Sequence, residues 1–342
     1  MKLFLLLNTS IFFFISCKSP ERIEPSAPSV FTNGVFVVNE GNYQSSNGNV
    51  AFINYNTNEV FDNIIKANNP SFTIGDVCQS LYFYNNYYFL VVNNSGKIEI
   101  FDSNFHHYKT ITNLGSPRFI SFKDDLFYVS NINSNTIDIG SVNTLNIISS
   151  ISTNTWTEEM VVVEDTLYAT CPNKDFVLKI NLTSTEIVDS IFCGVGNQSI
   201  VQQGDSVLWI QSVGDDTHQG NISSYHIKSN ELHVVDTWSY YALVSRLCID
   251  NKNQKLYWIN KDVLYIPTSN RLLSSTASVV IPGGTKNFYV ININPKSSDT
   301  QLWISNVKDY VQSSDIEVYD AQYQLTNTFK AGIISGYLLF SN

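Results

Sequence analysis

A short apolar segment recurs seven times along the chain, and this repetition constrains the fold more than any other feature of the sequence. Each copy is an apolar run that ends in a small or polar residue, as residues 35–39 (VFVVN) and 89–93 (FLVVN) illustrate. The copies end at residues 39, 93, 131, 172, 212, 260 and 306, so successive copies lie 38 to 54 residues apart. A repeat of about 40–50 residues is typical of the blades of a β-propeller.

Further strand-like segments fill the space between these copies. A second segment alternates apolar and polar residues, as residues 96–102 do, and a turn such as residues 56–58 separates it from a third. A fourth run, for example residues 117–122, leads into the next copy. Four short strands per repeat, without a sustained helical period, predict an all-β fold, and seven repeats predict a seven-bladed β-propeller.

The two ends of the repeat array are complementary. Residues 332–340 match the fourth run of a repeat, but no further copy follows them, whereas the first copy has no such run before it. We therefore predict that the C-terminal strand becomes the innermost strand of the blade that the N-terminal strands begin. This pairing would close the ring and leave no open sheet edge at the junction.

The N-terminal residues have a different character. Lys2 precedes an apolar run at residues 3–15, which is too short to span a bilayer but has the length of a signal-peptide core. The run ends in Ser16-Cys17, which predicts a lipoprotein whose Cys17 is acylated. An ordinary cleavage site followed by an incidental cysteine is the alternative. The predicted divisions are a signal peptide at residues 1–16, a tether at residues 17–33 and the propeller at residues 34–342.

The composition favours a globular protein that does not bind nucleic acid. Hydrophobic residues make up 43% of the chain, which is ample for a large core. The formal net charge is −10, whereas binding to a phosphate backbone needs a surface of lysine and arginine.

The four cysteines beyond the N-terminal segment form no Cys-x-x-Cys pair. Each lies in or beside a strand-like run, so Cys78, Cys171, Cys193 and Cys248 are expected to be small buried side chains. A disulfide between Cys171 and Cys193 stays open, because a sequence does not give the distance between two cysteines.

Catalytic patterns are sparse. Four of the five histidines fall in outer turns or outer strands, and the fifth, His218, shares one loop with Asp215 and Asp216. That loop comes nearest to a metal-binding set, but a hydrated loop is the favoured interpretation. The motifs of serine hydrolases, phosphate-binding loops and zinc proteases are not found. We therefore expect no catalytic residue, no metal and no cofactor.

Ligand-binding residues are expected on one face of the ring. In a propeller, the loops that lead into the innermost strands and the loops between the second and third strands lie on the same face. These loops concentrate aromatic side chains, amides and a few charges, which suits a large, flat, polar ligand. The predicted ligand-binding residues are Tyr43, Arg118, Trp156, Glu158, Glu159, Gln198, Tyr241, Arg246, Asn287 and Tyr310.

Structural roles compete with several of these assignments. Trp156 can line the site or pack at the start of a strand, and Arg118 can tie two blades together. Glu158 and Glu159 can cap the amides of a neighbouring loop. The tryptophans inside the repeated copies are expected in the core, and these are Trp209, Trp258 and Trp303.

Several segments resemble a known family. Residues 34–42 (GVFVVNEGN), 93–99 (NNSGKIE), 115–118 (GSPR) and 156–160 (WTEEM) resemble the YncE-like, YVTN-type propellers, and in particular the surface lipoprotein propellers of Bacteroidota. That group includes BtuG-type proteins, which capture cobalamin beside a TonB-dependent outer-membrane transporter. The resemblance implies a lipid-anchored outer-membrane protein exposed at the cell surface. It also implies a corrinoid as the first candidate ligand and a TonB-dependent receptor as the partner.

Other functions stay open at this stage. Haem, a siderophore or a glycan could replace the corrinoid as the captured molecule. A metal-dependent hydrolase or lyase built on a propeller is a second class, and a protein-interaction scaffold is a third. Bound metal would favour the enzyme, and a neighbouring receptor gene would favour capture over a scaffold.

Replacement of Cys17 by alanine should abolish membrane attachment and leave the propeller folded, because acyl chains on this residue supply the anchor. Cell fractionation followed by detergent partitioning measures the attachment. A variant that still partitions with membranes would show that the lipoprotein assignment is wrong.

Overall fold

The computed structural model describes residues 31–239, 246–269 and 277–341. Within these ranges, twenty-eight β-strands form seven four-stranded antiparallel sheets that are arranged in a ring. The predicted seven-bladed β-propeller is therefore confirmed. The predicted signal peptide and the acylated Cys17 lie outside the described residues.

Blade 1 combines strands from both ends of the chain, and each other blade takes four consecutive strands from the innermost outward. Blade 1 consists of β28 (Ser335–Phe340), β1 (Gly34–Asn39), β2 (Asn49–Asn54) and β3 (Glu59–Phe61). Blades 2 and 3 are β4 (Cys78–Tyr84), β5 (Tyr87–Val92), β6 (Lys97–Phe101), β7 (His107–Ile111), β8 (Pro117–Lys123), β9 (Leu126–Asn131), β10 (Thr136–Ser141) and β11 (Asn146–Ser152).

The remaining four blades follow the same pattern. Blades 4 and 5 are β12 (Met160–Val163), β13 (Thr166–Thr170), β14 (Phe176–Asn181), β15 (Glu186–Phe192), β16 (Asn197–Gln203), β17 (Val207–Ser212), β18 (Gly220–His226) and β19 (Glu231–Trp238). Blades 6 and 7 are β20 (Cys248–Asp250), β21 (Lys255–Asn260), β22 (Asp262–Pro267), β23 (Ser278–Ile281), β24 (Phe288–Ile293), β25 (Leu302–Asn306), β26 (Ser313–Tyr319) and β27 (Leu325–Ile333).

The second strand of each blade is apolar along most of its length because both of its faces are covered. Every residue of β1 is buried, and the same holds for β17. Sheets of neighbouring blades pack face to face, so side chains on both sides of these strands enter a core. This packing explains why the sequence repeats an apolar run rather than a strict alternation.

Large aromatic side chains fill the space between neighbouring blades. Trp209 and Trp258 are buried in one cluster between blades 5 and 6. Trp303 is also buried and stacks on Phe329, with ring centroids 5.7 Å apart. The expectation that these three tryptophans belong to the core is confirmed.

The four cysteines of the propeller are buried and carry free thiols. The disulfide considered for Cys171 and Cys193 is therefore not formed. Burial raises the pKa of both thiols to about 12, which keeps them protonated and unreactive at neutral pH.

Besides a 3₁₀ turn at Asn93–Ser95, one short α-helix interrupts the all-β pattern of the described residues. It is α1 (Ile64–Asn68), which follows β3 and buries Ile64 and Ile65 against an aromatic cluster of blades 1 and 2. The Asn63 side chain caps the helix by accepting a hydrogen bond from the Lys66 N–H at 3.1 Å. In the part of the chain that the structure describes, no helix is long and apolar enough to cross a membrane.

Ring closure depends on the pairing of β1 with β28. The register runs from Val35 opposite Phe340 to Asn39 opposite Ser335. The Asn39 side chain reinforces the junction, because its Oδ1 accepts hydrogen bonds from Gly332 N at 3.0 Å and from Ser335 Oγ at 2.6 Å. The prediction that the C-terminal strand completes the N-terminal blade is confirmed.

The direction of the strands defines two faces of the ring. We call the face at which the innermost strands begin the upper face, and the opposite face the lower face. Because β1 is antiparallel to β28, Asn39 lies at the upper face, whereas Gly34, where the chain enters the propeller, lies at the lower face. The loop between β1 and β2 is therefore at the upper face, as are its counterparts in the other blades.

Deletion of residues 332–342 should prevent stable folding, although it removes only the C-terminal segment. The deletion removes β28, exposes the backbone of β1 and takes Leu338 out of a core cluster. Thermal unfolding followed by circular dichroism should show no cooperative transition. Deletion of residues 18–28 is the control, because it leaves every strand that the structure describes intact. A native-like transition in the C-terminal deletion would contradict the role of β28 in closure.

Candidate functional site

A recurring irregularity marks the upper end of the central channel. Near the start of five innermost strands, the pairing with the second strand skips a residue, which is a β-bulge. A bulged residue leaves the alternation of the ladder, so its side chain is freed from packing between blades. The residues at these bulges are Gln79, Arg118, Gln198, Tyr289 and Gly336.

Blade 4 has an equivalent irregularity just before its innermost strand. The Glu158 N–H donates to Thr170 O at 3.0 Å, and the Thr170 N–H donates to Glu159 O at 2.9 Å. Two consecutive glutamates therefore oppose a single threonine, which is the geometry of a bulge. The side chains of both glutamates therefore lie at the upper end of the channel.

The side chains that meet at this level form a polar ring that we call the mouth. They come from blades on all sides of the channel, and hydrogen bonds or ion pairs connect them in groups. The mouth consists of Glu40, Gln79, Arg118, Glu158, Glu159, Arg246 and Tyr289.

Arg118 joins three blades at the mouth. Its Nε donates to both carboxylate oxygens of Glu158, at 3.0 and 2.9 Å, and its Nη1 donates to Gln79 Oε1. The Glu158 side chain is only 6% exposed, so the ion pair is largely removed from water. Within residues 31–239, 246–269 and 277–341, the Nη2 of Arg118 makes no hydrogen bond. One edge of the guanidinium is therefore left for an acceptor on a ligand.

Arg246 reaches across the channel from blade 6. Its Nε lies 3.4 Å from Glu159 Oε1, and its Nη2 donates to Gly336 O at 2.7 Å. The guanidinium lies between two rings, 5.1 Å from the centroid of Phe119 and 4.8 Å from that of Tyr337. Arg246 thus connects blades 1, 3, 4 and 6.

Glu159 is held by several donors besides Arg246. Its Oε2 accepts hydrogen bonds from Ser199 Oγ at 2.6 Å and from Ile200 N at 3.1 Å. Burial raises the pKa of this carboxyl, while Arg246 and the hydrogen bonds act in the opposite direction. The Ser199 hydroxyl also accepts the Leu247 N–H at 2.9 Å, which couples Glu159 to the start of blade 6.

A third carboxylate belongs to Glu40, which follows β1. Its Oε1 accepts a hydrogen bond from the Tyr289 hydroxyl at 3.1 Å. Burial raises the pKa of Glu40, and the Tyr289 hydrogen bond and the charges of Arg118 and Arg246 oppose the rise. The mouth therefore contains three carboxylates and two guanidinium groups.

A cavity of about 330 Å³ lies in the channel at the level of Arg246 and below it. Its walls combine the aromatic rings of Tyr82, Phe119 and Tyr337 with aliphatic side chains such as Ile200 and Ile291. This volume is at the lower end of the range for ligand pockets, about 300–1,000 Å³. A larger ligand would therefore lie across the mouth rather than within the channel.

The structure brings together four of the residues predicted from the sequence. Arg118, Glu158, Glu159 and Arg246 all belong to the mouth and form two ion pairs. Gln198 occupies the bulge of β16, at the position that Arg118 has in β8. Tyr241 lies outside the described residues.

Three other predicted residues lie on the loops around the mouth. Tyr43 is 67% exposed and Tyr310 is 41% exposed. The Asn42 side chain donates to Tyr310 O at 2.9 Å, so the loops that carry these tyrosines lie against each other. The Asn287 side chain donates to Lys308 O, so it ties two loops of blade 7 together.

Two tryptophans outside the repeated copies have different surroundings: Trp238 ends β19, and Trp156 precedes β12. Trp238 packs on Gly220, and its Nε1 donates to Val213 O at 3.3 Å, which is a structural role. Trp156 is half-buried, and its Nε1 is buried without a hydrogen-bond partner among the described residues. An unpaired buried N–H is costly, so Trp156 is suited to meet a water molecule or a ligand group.

Sequence reasoning missed three members of the mouth, which are Glu40, Gln79 and Tyr289. Gln79 and Tyr289 hold the same bulged position as Arg118, so aligning the starts of the innermost strands could have indicated them. Glu40 stands after a second strand rather than before an innermost one, and only ring closure brings it to the mouth.

No cluster of three or more His, Cys, Asp or Glu side chains suited to a metal ion occurs among the residues with described positions. The loop with Asp215 and His218 is held by its own contacts, because Asp215 Oδ1 accepts hydrogen bonds from Thr217 N at 2.7 Å and from His218 N at 2.8 Å. These bonds hold the pKa of Asp215 well below its usual value, beginning with the one from Thr217.

Comparisons with known proteins agree with this architecture. The model of a domain of unknown function, DUF5074, matches residues 33–332. No curated protein sequence matches the chain significantly.

Solved structures that resemble the chain share the fold at low sequence identity. A quinoprotein alcohol dehydrogenase-like protein from Bacteroides thetaiotaomicron has a TM-score of 0.68 at 12% identity, with 91% of this chain and 79% of that chain covered. A functionally unknown protein from Desulfotomaculum acetoxidans has a TM-score of 0.66 at 11% identity, with coverage of 90% and 98%. A protein from Lactobacillus plantarum has a TM-score of 0.66 at 12% identity, with coverage of 91% and 99%. At these identities the likeness shows the fold alone.

Replacement of Glu158 by alanine should lower the free energy of unfolding by about 1–3 kcal/mol, because Arg118 loses the partner of a largely buried charge-assisted hydrogen bond. Urea unfolding measures the change. Glu186→Ala is the control, since Glu186 is exposed at the start of an outer strand. Equal stability of Glu158→Ala and the unmodified protein would show that the pair does not hold the mouth together.

Proposed function

We propose that this chain, which belongs to the DUF5074 family of domains of unknown function, captures a large polar small molecule at the mouth and leaves it chemically unchanged. The observation that carries the proposal is the ring of bulges, which brings polar side chains of several blades to one end of the channel. Bulges next to a channel are typical of positions where a fold directs side chains toward a ligand.

The ion pairs of Glu158 and Glu159 support recognition more than proton transfer at these two of the three carboxylates in the mouth. The carboxylate of Glu158 is engaged by Arg118, and the carboxylate of Glu159 is engaged by Arg246 and Ser199. General acid–base catalysis needs a group that is free to exchange a proton with the substrate. The open Nη2 edge of Arg118, by contrast, suits a carbonyl or phosphate oxygen that stays bound.

A corrinoid is the ligand that we propose first, on the strength of the sequence resemblance to BtuG-type propellers. A corrinoid carries primary amides and a phosphodiester around a broad macrocycle, which supplies acceptors for Arg118. The channel cavity of about 330 Å³ is too small to enclose it, so the macrocycle would lie across the mouth. Tyr43 and Tyr310 would flank it on the loops of blades 1 and 7.

The cellular setting belongs to the same proposal. A lipid on Cys17 would attach the protein to the outer membrane, exposed at the cell surface. A TonB-dependent receptor would then take the captured molecule onward. The net charge of −10 is compatible with a surface protein that does not bind nucleic acid.

Isothermal titration of the chain from residue 18 onward with cyanocobalamin tests the proposal. We expect one molecule bound per chain and no change in the ligand after prolonged incubation. Arg118→Met should weaken binding by about tenfold or more, because a ligand acceptor loses a charge-assisted hydrogen bond. Lys123→Met is the matched control, since Lys123 lies at the lower end of the same strand. The absence of heat and of a spectral change would contradict the corrinoid assignment.

A tryptophan pair separates binding from folding in the same experiment. Trp156→Ala should weaken binding roughly 30-fold, as expected for an aromatic hot spot. Trp303→Ala should instead lower the free energy of unfolding by about 3–5 kcal/mol, as a truncation in the core does. Unchanged affinity in Trp156→Ala would place the ligand away from blade 4.

A further inference from the structure

Glu40 stands apart from the two ion pairs of the mouth. Arg118 is bonded to Glu158 and Arg246 is paired with Glu159, and no ion pair between described residues involves Glu40. The Tyr289 hydroxyl is bonded to Glu40 Oε1. Among the residues that the structure describes, Oε2 of Glu40 has no hydrogen-bond partner. The mouth thus holds one carboxylate whose charge is not matched by a bonded cation.

The fold makes specific room for this carboxylate. A Cβ atom at position 336 would overlap the carboxylate end of Glu40, so glycine lets the Glu40 side chain occupy this place without shifting. Gly336 and Tyr289 occupy bulges of two different innermost strands, β28 and β24. The Glu40 backbone is fixed as well, because its N–H donates to Ile334 O at 2.8 Å. Glu40 is therefore a positioned group rather than a mobile surface side chain.

The hydrogen-bonding groups near Glu40 indicate which ligand groups it can bind. A carboxylate accepts hydrogen bonds and cannot donate them, so Oε2 needs a donor. The open Nη2 edge of Arg118, in the same mouth, needs an acceptor. A primary carboxamide offers both, with its N–H groups as donors and its carbonyl oxygen as an acceptor.

We infer that Glu40 determines specificity by accepting hydrogen bonds from carboxamide groups of the bound ligand and by excluding ligands that carry carboxylates in their place. This inference rests on the proposed function, because it concerns how the mouth recognises the captured molecule. A ligand carboxylate would face the like charge of Glu40 in a site with little water, which is strongly unfavourable. A carboxamide of the same shape meets no such repulsion.

The test compares cyanocobalamin with its separated monocarboxylic acids, in each of which one peripheral carboxamide has become a carboxylate. The chain from residue 18 onward should bind cyanocobalamin at least about tenfold more tightly than the acid altered at the group that meets Glu40. Glu40→Gln, which keeps the shape and can donate to a carboxylate, should reduce or reverse this preference. Glu59→Gln, at an exposed glutamate of β3, is the matched control and should keep it.

Tyr289→Phe separates positioning from direct contact. It removes the hydroxyl that bonds to Glu40 Oε1 but leaves the charge of Glu40 in place. The preference for the amide should therefore persist in Tyr289→Phe, with lower affinity for both ligands. Loss of the preference in this variant would overturn the assignment of specificity to the Glu40 charge.

A measurement without ligand gives a second, independent readout. The groups that face Glu40 are Tyr289, Arg118, Arg246 and the thiol of Cys78. Because burial raises the pKa of Glu40 in the fold, the stability that its protonated form supplies is present at acidic pH and is lost as pH rises through the raised pKa. Glu40→Gln should therefore have a higher unfolding midpoint than the unmodified protein at neutral to alkaline pH.

The outcomes distinguish the two proposals. Binding of cyanocobalamin with equal affinity for every monocarboxylic acid would overturn the role of Glu40 and leave the capture of corrinoids standing. The same preference in Glu40→Gln as in the unmodified chain would also overturn it. Failure of the unmodified chain to bind cyanocobalamin would overturn the corrinoid proposal and this inference with it.

Discussion

The pairing of β1 with β28 is the interaction on which the rest of the molecule depends. It places the first and last strands in one sheet and fixes their register through Asn39, which bonds to two residues of the C-terminal segment. The mouth needs this closure, because Glu40 follows β1 and Gly336 belongs to β28. A ring left open at this junction would lose an edge of its sheet and one side of its site at the same time.

The β-bulges place the side chains of the site at irregular positions in an otherwise regular fold. A β-ladder assigns each side chain to one face of the sheet, and in a propeller both faces pack against neighbouring blades. One extra residue near the start of an innermost strand does not follow this alternation, and regular pairing resumes in the residues after it. Arg118, Tyr289 and Gly336 occupy equivalent bulges but have different roles. Arg118 supplies a cation, Tyr289 supplies a hydrogen-bond donor and Gly336 leaves space for the Glu40 side chain.

The fold was predictable because the sequence repeats the same strand pattern seven times. Seven apolar runs at blade-like spacing, with an unmatched strand at each end, indicated both the blade number and the closure. Four of the seven residues of the mouth were predictable as well, since Arg118, Glu158, Glu159 and Arg246 stand where loops meet innermost strands. Gln79 and Tyr289 were missed because a bulge depends on register, and a single sequence does not show which residues oppose each other.

The point at which the chain enters the ring has a mechanical consequence for a lipid-anchored form. Gly34 lies at the lower face, so a tether from Cys17 pulls on the side of the ring that is opposite to the mouth. In that orientation the mouth would point away from the lipid and could not touch a receptor embedded in the same membrane. In the proposed lipid-anchored form, capture of the ligand and its delivery to such a receptor would therefore need two opposite orientations of the ring.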